Sequence, residues 1–357
     1  MRTTHDNFQN RLPRLIGVSI ALAICLSSGL FAAGAKETGT GQPEGRSVAV
    51  FVPGVVSGSP VYEMLVAGVQ KAIAETPSAS VKVIEGGYNQ AEWESKLNTL
   101  AADGSFDLIV SSNPALPSIC EAVSVKFPAQ HFLLLDGHLT GNSRIYTLRY
   151  NQREQGYLAG YLAGLVTGSN IPGANPAKKI GLVAGQEYPA MNEVILPGYT
   201  EGARAVDAGV EVDFRVVGNW YDAAKGAELS FSMIRDRTDV ILAIAGGANQ
   251  GIVQASADAK SFVIWFDVNG YAVKPGTIVG SSVIHQDKAA YRALMQYFAG
   301  TLPFGSAETL GLVDGFVDFI EDDPAYIAAL PEAIRKKQSS MIARIRSGEL
   351  KLPMETK

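Results

Sequence analysis

The run Ile241-Leu-Ala-Ile-Ala-Gly-Gly247, followed after a helical stretch by Phe262-Val-Ile-Trp-Phe-Asp267, decides the fold class. Both are apolar strands that end in small or acidic residues, which is how an open parallel sheet presents a ligand site at its carboxyl edge. A binding cleft is therefore the first expectation, before any catalytic motif has been sought.

Working outward, strands and helices alternate with βα spacing, which implies an α/β protein with mainly parallel sheets covered by helices on both faces. In the first half, strands are predicted at 47–52, 81–85, 108–111, 131–136 and 146–150, with helices at 62–75, 91–102 and 118–127. A Gly- and Ala-rich helix at 155–166 follows, whose small residues allow close packing on a neighbour; it is too short to span a membrane. The second series has strands at 179–184, 210–217, 240–245, 262–267 and 277–283 and helices at 197–208, 223–235 and 251–259. A helix at 288–300, a segment at 310–320 and a terminal helix at 331–347 complete the chain. Two similar doubly wound halves with a late return of the chain predict a first lobe of 47–151 plus 286–310. The second is 152–285 plus 311–357, and a hinge closes the cleft between them.

The chain has 357 residues, 47% hydrophobic and 18% charged, enough to bury two such lobes. Net charge is −5 and the basic residues are scattered, which argues against nucleic acid and for a small-molecule partner. Arg11 and Arg14 precede an apolar run from Leu15 to Ile24, the pattern of a secretory signal, so 1–35 reads as a signal peptide and 36–46 as a tether. Two processing sites compete. Leu22-Ala-Ile-Cys25 resembles a bacterial lipobox with Cys25 as the lipidation candidate, although Ile24 is bulkier than usual there, and Ala33-Gly34-Ala35 is an ordinary small-residue cleavage site. Either places the body outside the cytoplasm, periplasmic or lipid-anchored to a membrane, and a monomer is expected. The leader itself is broken by Ser and Gly and barely reaches the ~20 apolar residues a span needs. With only Cys25 and Cys120, no structural disulfide is expected, and Cys120 reads as a small buried hydrophobe.

No catalytic signature is present: neither a Gly-x-Ser-x-Gly elbow, a Walker loop, nor a dinucleotide Gly-x-Gly-x-x-Gly after the first strand. His131 and His138 flank a strand end without a carboxylate or cysteine at ligand spacing, so solvated or capping roles outweigh a metal site. No enzyme activity, metal or cofactor is expected. The strand ends carry more. Val52-Pro-Gly-Val-Val-Ser-Gly-Ser-Pro60 leaves the first strand as a Gly/Ser-rich loop whose NH groups, with Ser57 and Ser59, could bind polar ligand atoms. Asn113, Asp136, Gly246, Gly247 and Asp267 converge on the same edge by the switch-point rule. Tyr62, Tyr188, Trp220, Tyr221 and Phe266 lie near these edges; Trp220, in the polar loop Gly218-Asn-Trp-Tyr-Asp222, offers a large π face for a planar ligand.

Several stretches taken together resemble the basic membrane protein family, substrate-binding lipoproteins of bacterial ABC importers that include purine-nucleoside receptors. They are Glu154-Gln-Gly-Tyr-Leu-Ala-Gly160, Lys179-Ile-Gly-Leu-Val-Ala-Gly185, Ala245-Gly-Gly247, Val263-Ile-Trp-Phe-Asp267, Pro275-Gly-Thr277 and Ile345-Arg-Ser-Gly-Glu-Leu-Lys-Leu-Pro353. The resemblance implies a type I periplasmic binding protein that holds its ligand between lobes and delivers it to a permease. It makes Asp136, Gly246, Gly247 and Asp267 cleft residues, with Asp267 accepting hydrogen bonds from ligand hydroxyls. It also puts Trp220 where nucleoside receptors often place an aromatic.

Two departures bear on the ligand. Nucleoside-binding members carry an Asp-Lys-Ser-Phe-Asn type motif after the first strand, where this chain has Ser57-Gly-Ser-Pro-Val61; a lysine after the Pro-Gly-Thr strand is replaced by His285. A nucleoside would be left with unpaired polar groups at ~1 to 3 kcal/mol each. Riboflavin, which related binding proteins of this architecture take, is the expected transported ligand. Tyr62 and Trp220 would sandwich its ring, and Asn113, Asp136 and Asp267 would hold its ribityl hydroxyls. A purine nucleoside is the alternative; a secreted nucleoside hydrolase or a ligand sensor are the alternatives of another class.

Overall fold

The computed structural model describes residues 46–354. The leader, Cys25 and residues 36–45 of the tether lie outside the described residues. The chain runs β1 (Ser47–Val52), α1 (Pro60–Ala74), β2 (Ser80–Glu85), α2 (Trp93–Asp103), β3 (Leu108–Ser112), α3 (Leu116–Lys126), β4 (His131–Leu135) and β5 (Ile145–Tyr150). It continues through α4 (Gln152–Thr167), β6 (Lys179–Ala184), α5 (Leu196–Val206), β7 (Glu211–Val216), α6 (Ala223–Arg235), β8 (Thr238–Ile244), α7 (Asn249–Asp258), β9 (Phe262–Asp267) and β10 (Ile278–Ile284). Last come α8 (Gln286–Phe298), β11 (Ala307–Leu310), β12 (Val317–Phe319), α9 (Pro324–Ala329) and α10 (Glu332–Arg346).

These strands form two six-stranded sheets, ordered β11-β5-β4-β3-β1-β2 and β12-β10-β9-β8-β6-β7. All the pairings are parallel except β12, which runs antiparallel to β10. The chain crosses from one sheet to the other after β5, returns after β10 to place α8 against α1, and crosses once more between β11 and β12. Three crossings thus join the two sheets.

Alternation within each strand explains the layering. Val48, Val50 and Val52 of β1 join Leu108, Val110, Leu133 and Leu135 on one face, while Ala49 and Phe51 join Ile109, Phe132 and Leu134 on the other. Successive side chains of a strand point to opposite faces, so a strand apolar at every position must be covered on both. Cys120 is fully buried in the second of these clusters, and burial pushes its thiol up.

The Gly-rich helix α4 is buried along nearly its whole length and lies backbone to backbone against α5. A methyl group on Gly160 would stand 1.9 Å from the Tyr199 carbonyl oxygen, and one on Gly202 2.1 Å from that of Tyr157. Here the small residues serve the close packing of a helix pair.

The elements differ from the sequence expectation mainly at their ends. Helix α4 starts at Gln152 because the Asn151 side chain accepts from Glu154 N at 3.3 Å, an N-cap that apolar periodicity does not register. Pro60 opens α1, where its missing NH is no loss. A π turn at Met191–Ile195 precedes α5, and the segment at 310–320 contains the end of β11 and all of β12. His131 is half-buried: its ring lies 4.7 Å from that of Phe304 and its Nε2 is 3.2 Å from Arg144 Nη1. No helix among the described residues is long and apolar enough to cross a membrane.

Candidate functional site

Asp136 follows β4 and Asp267 closes β9, at the carboxyl edges of the two sheets. Both adopt a left-handed backbone, φ 54° and 71°, which is uncommon for a residue with a side chain and marks a constrained position. The edges face one another, since the charge of Asp267 acts on Asp136 and Tyr188 of the second lobe feels both carboxylates. Burial raises Asp136 from its ordinary 3.8 to about 7, with Asp267 adding to the rise. Burial likewise raises Asp267 to about 6, partly offset by Gln155, whose Nε2 donates to Asp267 Oδ1 at 3.0 Å. No cation figures among the groups acting on either carboxylate. A ligand group that donates hydrogen bonds would suit such a pair.

A stability dependence follows. Both carboxyl groups hold their protons more tightly folded than unfolded, so their contribution is fully present below about pH 4 and is lost as pH rises through about 6 and 7. The ligand-free protein is expected to melt several degrees lower at pH 8 than at pH 5, with ~1 kcal/mol worth roughly 2–4 °C. Asp136→Asn should flatten that slope in thermal scans; an unchanged slope would refute the coupling.

Aromatic side chains surround the pair. Tyr62 Oη donates to the Pro53 carbonyl at 3.3 Å, and its phenol is raised to about 12, by burial first and also by Asp136 and Tyr88, against an opposing effect of the Asn113 side chain. Asn113 is held by its own Oδ1 accepting from Ala115 N at 2.9 Å. In the second lobe the Tyr188 and Trp220 rings lie 6.1 Å apart at 48°, and Trp220 Nε1 donates to Gln186 Oε1 at 2.9 Å. The Trp220 ring lies over Gly185, where a methyl would stand 2.4 Å from Cε3. Gly247 N donates to the Trp220 carbonyl at 2.8 Å, and a methyl on Gly246 would meet that oxygen at 2.8 Å. The glycine pair after β8 thus lets two backbones approach and fixes the Trp220 loop.

The structure brings together Tyr62, Asn113, Asp136, Tyr188 and Asp267, with Trp220, Gly246 and Gly247 joined to them through Tyr188. Among the described residues no interaction joins Ser57 or Ser59 to this group. Ser57 is exposed and Ser59 sits at the N-cap of α1 without a side-chain cap bond. Two NH groups of their loop are already taken: Val56 N donates to Glu85 Oε1 at 2.8 Å and Gly58 N to Glu63 Oε1 at 2.9 Å. His285 opens α8 with its Nε2 3.8 Å from Asp318, a carboxylate that also pairs with Arg346 at 2.8 Å. Gln155 and Tyr150, which the sequence reading did not single out, also adjoin the pair. Gln155 also donates to the Ser282 carbonyl at 3.1 Å, and the buried Tyr150 phenol is raised by burial first and then by Asp136. The Asn151 cap would have placed Gln155 in the first turn of α4, facing the crossing. Among the described residues no group of three or more His, Cys, Asp and Glu could hold a metal.

The chain is 28% identical over 180 residues to a CD4+ T-cell-stimulating antigen of Listeria innocua, covering 49% of this chain and 48% of that one. It is 26% identical over 165 residues to the ABC transporter nucleoside-binding protein BmpA of Lactococcus lactis, covering 46% and 42%. Each match thus spans about half the length of the relative or a little less. A solute-binding protein of an ABC transporter system from Aeropyrum pernix superposes with a TM-score of 0.74 at 23% identity, over 87% of this chain and 94% of that one. This places the fold among type I periplasmic solute-binding proteins. A family model described as ABC transporter substrate-binding protein PnrA-like matches residues 46–351, and the chain belongs to that family.

Proposed function

We propose that this protein is the extracytoplasmic receptor of an ABC importer and closes its lobes on a flat aromatic ligand bearing a polyhydroxylated chain, riboflavin. The reading rests on one juxtaposition: carboxylates from both lobes, Asp136 and Asp267, lie together between the Tyr62 side and the Tyr188–Trp220 side. Hydroxyls of a flexible chain donate to carboxylates, and a wide ring uses the π faces beside them. The first loop supports riboflavin over a smaller ligand, because Ser57-Gly-Ser-Pro-Val61 carries neither an acid nor an aromatic to pair with a base.

A purine nucleoside is the second reading, favoured by family membership and by the Lactococcus lactis relative named as nucleoside-binding. In either case the protein acts as an exported monomer that binds without turnover and hands its ligand to a permease. The leader provides export, and Cys25 an anchor if the lipobox is used.

Titration with riboflavin, inosine and guanosine, read by flavin and tryptophan fluorescence, separates the readings. Riboflavin should bind with quenching, and Trp220→Ala should weaken it about tenfold or more, by lost stacking together with lost apolar burial. Tight nucleoside binding with no flavin response would discard riboflavin. Conversion of a nucleoside during incubation would discard binding without turnover.

A further inference from the structure

The two lobes repeat one another around their first strands. Sheet orders ending β3-β1-β2 and β8-β6-β7 make β1 the counterpart of β6, and β2 that of β7. In the second lobe, Gly185 directly follows β6, and Trp220 reaches over it from the loop after β7. The first lobe has the same construction. Gly54 follows β1, and a methyl there would meet Tyr62 Cε2 at 3.1 Å and Tyr88 Cε1 at 3.2 Å. Tyr88 comes from the loop after β2, as Trp220 comes from the loop after β7, and Tyr62 lies close to it at the start of α1.

Given the aromatic-ligand reading above, on which this inference rests, we propose that Tyr88 is a ligand-contacting residue, the first lobe's counterpart of Trp220 and the other plate of a clamp at the cleft rim. Its ring lies on a glycine backbone and against Tyr62, yet it is 62% exposed. A large apolar side chain held at a cleft edge without cover has its free face available to a planar ligand. The ring, rather than the hydroxyl, is the contact. Tyr62 then lies deeper, beside Asn113 and Asp136, and serves the polar part of the ligand. The clamp at the rim is therefore Tyr88 with Trp220, in place of the Tyr62 and Trp220 sandwich expected from sequence.

The test is the affinity, by calorimetry, of wild type, Tyr88→Ala, Tyr88→Phe and Tyr221→Ala for whichever of riboflavin, inosine and guanosine the wild type binds most tightly. Tyr221 is a control, a rim aromatic of the second lobe that is 74% exposed. Tyr88→Ala should weaken binding roughly three- to tenfold, Tyr88→Phe should bind as wild type, and Tyr221→Ala should be unchanged. Melting temperatures should stay level, since the ring is exposed. Undiminished affinity in Tyr88→Ala overturns the clamp while leaving the function reading intact, and equal losses in Tyr88→Ala and Tyr88→Phe overturn the ring contact. A wild type that binds none of the three ligands removes the aromatic-ligand reading and the clamp with it.

Discussion

Asp267→Ala is expected to weaken ligand binding on the order of 100-fold. The side chain closes β9 at the cleft floor, and Gln155 Nε2 holds one of its oxygens at 3.0 Å. That bond orients the carboxylate and leaves the second oxygen to accept from hydroxyls of the proposed ligand. A hydrogen bond to a charged group contributes ~1.5–3 kcal/mol, and each ~1.4 kcal/mol is tenfold in affinity. Removal costs more than the ligand contact alone, because Gln155 Nε2 keeps only the Ser282 carbonyl as a partner. Asp267→Asn keeps the shape and one acceptor oxygen, so it should lose about tenfold. Isothermal titration at pH 7.5 reads both. Binding by Asp267→Ala within twofold of wild type would place the ligand's hydroxyls elsewhere.

The second large effect is on folding. Gly160→Ala is expected to destabilise the protein by about 2–4 kcal/mol, lowering its melting temperature by roughly 5 °C or more. The added methyl would stand 1.9 Å from the Tyr199 carbonyl oxygen, a backbone atom that cannot rotate away. Relief requires α4 and α5 to separate by more than an ångström, and a gap of 0.5–1 Å already forfeits roughly a quarter to a half of each contact's attraction. Alanine favours helix over glycine by only ~1 kcal/mol, so the clash dominates. Gly202→Ala, 2.1 Å from the Tyr157 carbonyl, should behave alike, whereas Gly218→Ala has open space around it and fails only through its backbone angle of φ 96°. A Gly160→Ala variant that melts with wild type would mean the helices do not touch as described.

The α/β class was legible because burial is written into the strands. Ile241-Leu-Ala-Ile-Ala-Gly-Gly247 and Phe262-Val-Ile-Trp-Phe-Asp267 are apolar at nearly every position, which only a doubly covered sheet accommodates. Their ends at Gly246, Gly247 and Asp267 were visible for the same reason, since polarity returns where the strand leaves the core. Strand ends at Asn113 and Asp136 followed the same logic.

Other parts of the site were not legible. Tyr88, the proposed rim contact, lies in a polar loop with no periodic signal, and only the closeness of its ring to Gly54 and Tyr62 sets it apart. Gln155 reads as one more residue of a Gly- and Ala-rich helix until α4 is placed against β9 and β10. Around Ser57 and Ser59, the loop bonds of Val56 N to Glu85 and of Gly58 N to Glu63 were equally unreadable, since the acids come from an adjacent strand and from the next helix.

By itself, then, the sequence determined the alternation of strands and helices, the doubly covered sheets and the residues at their carboxyl ends, because these follow from local periodicity and from where apolar runs stop. Only the tertiary structure decided which of those ends meet. Asp136 and Asp267 are brought together by three crossings between lobes, and Trp220 and Tyr88 are set on glycines of neighbouring strands. The physical reason is that a strand end's chemistry is encoded in a few consecutive residues. The distance between two ends depends on packing across many turns of chain, and at α4 and α5 on backbones that touch because glycine lets them.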